Sequence, residues 1–594
     1  MIKVSDYVMQ YIAKLNVKHV FCVTGGGAMH LNNSLGNSTA ITGVFMLHEQ
    51  GASIAAEAYA RINEGYGCCL VTSGPGATNA LTGLVGAYID SIPVIYIAGQ
   101  AKRDDLVGNQ QIRQFGIQEV DSVSMAQKYA KYAVQIKNPE DIRYELEKAS
   151  FIAAEGRPGP VWIEIPLDIQ ASQVDENTMV GYQDDNGNTY EAEDEDVLET
   201  IRLLNKSAKP VLMLGHGIRL GHAVEEARVL YEMLGIPVLT SWNGVDLIEE
   251  EHPLYFGRPG AVGQRAANLI QQGADFVLTI GTRLNLLSTG YNYDSFLKRA
   301  AHVMVDIDEN EMNKKSVHPQ LKIACDAKSF IQKMLAYADK IEVVDRKSWL
   351  EHCRNISEKY PVCIPQQAAR TGFISTYDLI KEISAQMQNT DIYQFTSSGT
   401  SVDIAMKVFQ IKWGQRAFLT KGLAAMGYDV PACIGSCIAS GKKRTVCVTG
   451  DGSVVMNMQE LEVIKRLNLP VKLFIVDNNG YSMIYTSQNN NFKGHLTGCT
   501  AEDGLTLPDM NKVAKAFGIF DMHIDSENDL SDIVKKVLEY DGPVICTVKA
   551  DIRQQVLPKQ TSYMKEDGQM ASRPLEDMSP LLEREELKAC LEEL

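Results

Sequence analysis

No run of apolar residues in this chain approaches 18, about the length a membrane-spanning helix needs, so no transmembrane segment is expected. The first residues, MIKVSDYVMQYIAKL, have amphipathic helical spacing and do not read as a signal peptide. The 12 cysteines contain no C-x-x-C pair. They are scattered, with Cys68 and Cys69 adjacent and Cys433 and Cys437 spaced for one helix. This points away from a disulfide framework and toward reduced thiols in a cytoplasmic protein. Positive charge is short as well: 57 Lys and Arg stand against 74 Asp and Glu, a net charge of −17. Such a surface argues against nucleic acid or an anionic membrane as the main partner. Short internal repeats and low-complexity segments are missing too.

What is present is length and alternation. A chain of 594 residues exceeds one core, and three or four domains are expected. Over residues 1–180, HVFCVTGG, GCCLVTSG, IPVIYIAGQ and PVWIEIP read as buried strands between helices. Continuous apolar strands of this kind mean a parallel sheet covered on both faces. The acidic stretch 184–196, DDNGNTYEAEDED, reads as a solvated linker. The pattern restarts over 197–345 with KPVLMLGHG, IPVLTSW, FVLTIGTRL and AHVMVDIDENEM. A charged segment at 345–360, then Pro361 and Pro365, lead to a third unit at 370–555. Residues 556–594 read as a polar tail ending in a charged helix, EREELKACLEEL. The expected fold class is α/β, with three open, mostly parallel, doubly wound domains.

The third unit holds the stretch that organises the chain. Val446–Thr449 is a β-branched strand, Gly450-Asp451-Gly452 a sharp turn, and Met458–Leu467 has helical spacing. Val471–Val476 is a second buried strand, ending at Asn478-Asn479-Gly480. A strand-turn-helix unit aims free backbone N–H groups at an anion. Asp451 adds a carboxylate and Asn478 an amide oxygen, donors that suit a hard cation such as Mg2+. The crossover between them brings Asn478 beside Asp451 on one sheet edge. Gly-Asp-Gly by itself also occurs in ordinary βαβ turns.

In this setting the segment resembles the diphosphate motif of the thiamine diphosphate (ThDP) enzymes. The resemblance implies that Asp451, Asn478 and the Gly480 carbonyl hold Mg2+, with Gly450, Gly452, Ser453, Tyr481 and Met483 around the cofactor. In the first unit, HEQGASIAAEAYAR followed by TSGPGATN resembles the acetolactate synthase branch. On residues alone, Glu49 is only a carboxylate favoured at a helix start. The resemblance implies that it hydrogen-bonds the cofactor's pyrimidine nitrogen. An acid is needed there to select the tautomer that activates the thiazolium carbon. Glu57, eight residues on in an alanine-rich setting, reads as structural. Gly25-Gly26-Gly27 reads as a flexible turn; the resemblance puts Gly26 beside the reacting carbon, where a side chain would obstruct substrate. Gly74 and Asn79 fall in SGPGATN, which resembles the pyrimidine-side wall. Gln118 corresponds to a Gln that reaches substrate, although the family's preceding Phe is Ile117 here. Lys131 corresponds to a channel lysine. In KGLAAMGYDVPACIGS, Met426 resembles the apolar wedge that bends the cofactor, and the Ala424 carbonyl its amino-group acceptor. On residues alone Met426 is a core methionine. Glu49 and Asp451 lie in different units, and the family builds its site between two subunits, so at least a homodimer is implied.

The middle unit resembles the family's FAD-binding domain at Gly215, Gly217, Arg283, Asp306, Asp308 and Asp326, residue types that suit strand ends facing a dinucleotide. FAD and a vestigial or ADP-binding domain both stay open, because Gln127 replaces the family's Arg upstream of the channel lysine. Two further departures fall where the family holds the acceptor. Its carboxylate-binding Arg is Leu287 here, with Arg283 or Arg258 as the alternative holder if the register slips by a residue or two, and its packing Trp is Ser487, while the polar stretch 488–504 departs from the family around the channel mouth. The expected activity is decarboxylation of a 2-oxoacid, pyruvate first, and transfer of the two-carbon unit to a carbonyl acceptor. A keto sugar nucleotide as acceptor is the first alternative, and a decarboxylase or oxidase the second. A regulatory paralogue that only binds nucleotide is disfavoured by intact Glu49, Asp451 and Asn478.

Overall fold

A computed structural model of the protein describes residues 1–592 apart from 185, 186 and 188. Three parallel sheets carry the fold. The first runs in spatial order Thr42–Phe45, His19–Cys22, Gly67–Val71, Val94–Gln100, Val161–Pro166, Tyr132–Gln135. The third runs Arg416–Phe418, Ile392–Gln394, Thr445–Gly450, Val471–Asp477, Val544–Lys549, Phe520–Ile524. Counted along the chain both follow the order 2-1-3-4-6-5, so the two sheets share one topology. The middle sheet has five strands, Val238–Thr240, Pro210–Leu214, Phe276–Ile280, Ala301–Asp306 and Leu321–Ala324. Three α/β domains is thus the observed class. The reason the strands read as unbroken apolar runs is also visible: every residue of Val94–Gln100 and of Pro210–Leu214 is buried.

One apolar cluster joins the first and third sheets, while the middle sheet packs into clusters of its own. The join is made by the helices Glu49–Asn63 and Asp429–Ala439. They approach until a Cβ on Gly435 would overlap the Ala55 carbonyl. The small buried residues Ala55 and Ala58 on the first helix permit that approach, Ala55 against Gly435 and Ala58 beside Ala432. Glu57 on the same helix pairs with Arg61 and accepts from the Tyr428 hydroxyl at 2.7 Å, a cross-domain structural link.

Four elements differ from expectation. The helix after the Gly-Asp-Gly turn begins at Asp451 rather than Met458, and a tighter turn interrupts it over Val455–Glu460 before Leu461–Arg466. The break centres on Asn457 (φ −136°), whose side chain donates to the Gly427 carbonyl at 2.7 Å. The expected linker ends early: Asp194 opens the helix Asp194–Lys206, whose acidic first turn suits the helix dipole. Asp185, Asn186 and Asn188 of that linker lie outside the described residues. The charged segment before Pro361 is the helix Lys347–Lys359, which buries Trp349, Cys353 and Ile356 in the middle domain. The C-terminal stretch is not a free polar tail. Leu575, Met578, Cys590 and Leu591 are buried, and the helix Arg584–Glu592 packs on Arg265–Gly273. Composition hides this because four apolar anchors suffice to hold a mostly polar segment. Residues 593 and 594 of the expected terminal helix lie outside the described residues. No cysteine among the described residues is paired, and no helix among them is long and apolar enough to cross a membrane.

Candidate active site

The turn after Thr445–Gly450 is built around the Asp451 carboxylate. Strand register sets Gly450 opposite Val476, so Asp451 and Asn478 leave the sheet at the same level. One Asp451 oxygen accepts from Gly452 N (2.7 Å), the other from Asn478 N (3.1 Å) and Asn479 N (2.7 Å). Asn479 adopts φ +55°, a left-handed turn that Asn tolerates. Burial pushes the Asp451 carboxyl up to about 7 despite those three donors. Beside it, the Asn478 Oδ1 is buried and has no hydrogen-bond partner. A buried carboxylate next to an orphaned amide oxygen is a donor set that fits a hard cation.

The loop 424–427 lies against this turn. Ser453 accepts from Gly427 N at 3.0 Å, and Ser397 donates to the Ala425 carbonyl. Ala424 (φ +57°) and Gly427 (φ +83°) are both left-handed, which leaves Met426 between two fixed points. A Cβ on Gly452 would overlap the Tyr481 ring and lie 3.6 Å from the Met426 methyl, so glycine here lets both side chains close over the turn. Space beside Gly450 is open, Gly480 abuts the Cys499 carbonyl, and Met483 is exposed.

Glu49 begins its helix one residue after the cap, His48, whose Nδ1 accepts from Gln50 N at 3.1 Å. Glu49 accepts from the Asn79 amide at 3.0 Å. Below them Thr72 has a buried, unpartnered hydroxyl, and a Cβ on Gly25 would fall 2.5 Å from its Cβ. Gly27 closes over Ser73 in the same way, whereas Gly26 faces open space. Gly25 and Gly27 are therefore required by packing inside their own domain, and Gly26 alone is free of neighbours. Gly74 is left-handed (φ +62°), and a Cβ there would lie 2.8 Å from the Gln118 carbonyl. Gln118 is itself left-handed at φ +59° and exposed.

The structure thus gathers Glu49, Asn79, Gly74, Gly26 and Gln118 in one neighbourhood, and Asp451, Asn478, Gly452, Tyr481, Met426 and Ser453 in another. Among the described residues no hydrogen bond joins Glu49 to the Asp451 group. Lys131 belongs to neither: its ammonium donates to the Glu155 carbonyl and lines a cleft with Arg157 and Arg283, and burial pulls it down to about 8.

Gly217, Arg283, Asp306 and Asp326 line a separate cavity of about 140 Å3 together with Arg157 and Trp242. Gly215 and Gly217 were expected to admit a ligand. Their missing side chains accommodate the backbone of Gly281 and, at Gly215, of Thr282, and Gly217 also lines the cavity. Asp326 caps the helix Ala327–Ala336, and Asp308 is held by Arg157 at 2.8 Å. The cavity carries orphaned polar atoms of its own: the Thr282 hydroxyl and both ring nitrogens of His216 are buried without partners. Burial and the nearby Arg61 and Arg219 pull the His216 imidazole down to about 3, so it is neutral. Arg157 went unnoticed in the sequence, since nothing local to RPGP marks it. Of the alternatives for holding an acceptor carboxylate, Arg258 is fully buried and donates to Glu250, Met406 and Phe409. Arg283 is left-handed (φ +55°) and reaches the Ile89 carbonyl at the cleft wall.

Comparison with known proteins covers all three domains. Residues 2–130 match the thiamine pyrophosphate enzyme N-terminal TPP binding domain, 197–334 the central domain and 397–548 the C-terminal TPP binding domain. The chain is 30% identical over 565 residues to the probable acetolactate synthase large subunit of Methanocaldococcus jannaschii, covering 92% of each. It is 31% identical to acetolactate synthase 2, chloroplastic, of Nicotiana tabacum, over 94% of this chain and 83% of that one. The acetolactate synthase isozyme 2 large subunit of Escherichia coli is 29% identical over 93% of this chain and 96% of its own.

Proposed function

Because the chain belongs to the thiamine pyrophosphate enzymes, in the branch of the acetolactate synthase large subunits, we propose that it decarboxylates a 2-oxoacid, pyruvate first, and transfers the two-carbon unit to a carbonyl acceptor. The observation that carries this reading is the buried Asp451 beside the unpartnered Asn478 oxygen. Asp451, Asn478 and the Gly480 carbonyl would hold Mg2+, and through it a diphosphate at the N-terminus of the helix that Asp451 opens. Bound ThDP supplies the electron sink for decarboxylation and carbon–carbon bond formation. The residues orient and protonate. Met426 wedges from the anchored loop, the Ala424 carbonyl accepts from an amino group, and Glu49 holds the proton at the pyrimidine nitrogen. Gly26 leaves room for substrate, and Gln118 offers it an amide. No hydrogen bond among the described residues joins Glu49 to the Asp451 group within one chain, and the reading takes a second copy to complete each neighbourhood, in at least a homodimer. The defining experiment is carbon dioxide release from pyruvate with ThDP and Mg2+, read with and without a panel of carbonyl acceptors by product mass. Because pyruvate can serve as its own acceptor, the product decides: acetolactate, or a ligated product formed only with another acceptor, supports the ligase, whereas acetaldehyde as the product makes the protein a simple decarboxylase.

The acceptor has a second reading, favoured by Leu287, Ser487 and the buried Arg258. With no free guanidinium at those positions, a larger hydroxylated acceptor such as a keto sugar nucleotide suits the site better than a second 2-oxoacid. Under it, acetolactate formation from pyruvate alone is expected to be slow or weakly saturable. Efficient synthesis at micromolar to millimolar pyruvate, about the usual range of KM, would return the protein to plain acetolactate synthesis.

The middle cavity, together with the larger cleft that shares Arg157 and Arg283 with it, is proposed to take FAD, held in part by Arg157, Arg283, Asp306 and Asp326, in a structural role, since the ligation needs no net redox step. Purified protein is then expected to be yellow with a flavin spectrum. A colourless, active enzyme that ignores added FAD would remove the flavin and leave the ThDP reading intact.

A further inference from the structure

Glu460 closes the tighter turn Val455–Glu460 in the third domain and is fully buried. Its carboxylate reaches into the first domain. One oxygen accepts from His48 N at 2.9 Å, and both lie within 3.3 Å of Leu47 N. These amides immediately precede Glu49. A Cβ on Gly51 would lie 2.5 Å from Oε1, the oxygen that accepts from His48 N, so the absence of a side chain in the first helical turn is what admits the carboxylate. Arg466, six residues on, donates to the Phe45 carbonyl and holds the approach to that helix at a second point. The first N–H groups at a helix start have no partner inside the helix. A carboxylate is the strongest side-chain acceptor for N–H groups. Burial pushes the Glu460 carboxyl up to about 7, the cost of keeping it dry between the domains. A group intended only to join domains could have been apolar there.

We propose that Glu460 is a positioning residue for the reaction: by gripping Leu47 N and His48 N against Gly51 it fixes where Glu49 points. The inference rests on the reading of Glu49 given under Proposed function. It matters because displacing a reacting group by about 1 Å can cost about a hundredfold in rate.

The test uses the full chain and Glu460→Ala, Glu460→Gln and Gly51→Ala, with Glu49→Gln as reference. In cofactor-free protein, amide hydrogen exchange at Leu47 and His48 is expected to speed up at least about tenfold in Glu460→Ala, while the later turns of the helix keep their protection. With ThDP and Mg2+, Glu460→Ala and Gly51→Ala are expected to lose about tenfold to a hundredfold in kcat. The KM for pyruvate and the Kd for ThDP should stay within about threefold, as for a group that acts on the transition state alone. Glu460→Gln, which keeps one acceptor oxygen, should recover most of the loss. The double variant should be no worse than Glu460→Ala, because both changes remove one contact. Should Glu460→Ala fold poorly, Gly51→Ala carries the test, since alanine favours a helix. Normal kcat in Gly51→Ala, or in Glu460→Ala beside an impaired Glu49→Gln, overturns the inference and spares the reading beneath it. Normal kcat in Glu49→Gln overturns that reading itself.

Discussion

Glu49→Gln is expected to fold normally and to lower turnover by about a hundredfold or more, the scale of general acid–base contributions. Glutamine keeps an oxygen for the Asn79 amide, which donates to Glu49 at 3.0 Å, so the local geometry should survive. What is lost is the proton that only a carboxyl can hold at the pyrimidine nitrogen. Steady-state turnover with saturating ThDP and Mg2+, beside a thermal melt of both proteins, makes the comparison. Near-normal turnover would take Glu49 out of the mechanism.

Asp451→Ala is expected to weaken Mg2+ and ThDP binding by about a hundredfold or more, since loss of a direct ligand should cost at least what loss of an outer-sphere partner does. The substitution also strips the acceptor from Gly452 N, Asn478 N and Asn479 N, leaving three donors at a buried turn. The wild-type site should titrate. Burial holds the Asp451 carboxyl at about 7, above the unfolded value of roughly 3.9. The stability linked to this group is therefore fully present below about pH 4 and is lost as pH rises through about 7 in cofactor-free protein. Cation binding needs the deprotonated carboxylate, so affinity should fall as pH drops below about 7, with a proton released on binding. Calorimetry at pH 6 and pH 8 reads both effects. ThDP binding unchanged in Asp451→Ala would refute the metal assignment.

The fold was legible because strands buried on both faces must be apolar without a break, and such runs survive inspection of one sequence. The Gly-Asp-Gly to Asn-Asn span was legible because a crossover of fixed length carries two chemically distinct donors to one edge. Glu460 was not, since a glutamate in a helical stretch is ordinarily solvated, and its partners are backbone amides more than 400 positions away. Asn457 escaped for the same reason: the carbonyl it captures, Gly427, belongs to another loop. Gly215 and Gly217 have a packing cause that the sequence does not show. A glycine reports that something comes close, and here that something is the chain's own backbone at Gly281. The C-terminal anchors Leu575 and Met578 were diluted by polar neighbours, although burial needs only a few contacts.

The shared core of the first and third sheets also bears on how the protein is made. The helix Glu49–Asn63 leaves the ribosome long before Asp429–Ala439, the helix that covers its small-residue face, has been synthesised. At about 5–20 residues per second, the interval from Asn63 to Asp429 is on the order of twenty seconds to a minute. Throughout it Ala55 and Ala58 have no lid, and the first domain must wait as an unfinished half. The middle domain, with clusters of its own, can fold during that interval and hold the tether between the halves short. Chaperone dependence during synthesis should therefore concentrate on the first 180 residues and end when the third domain emerges.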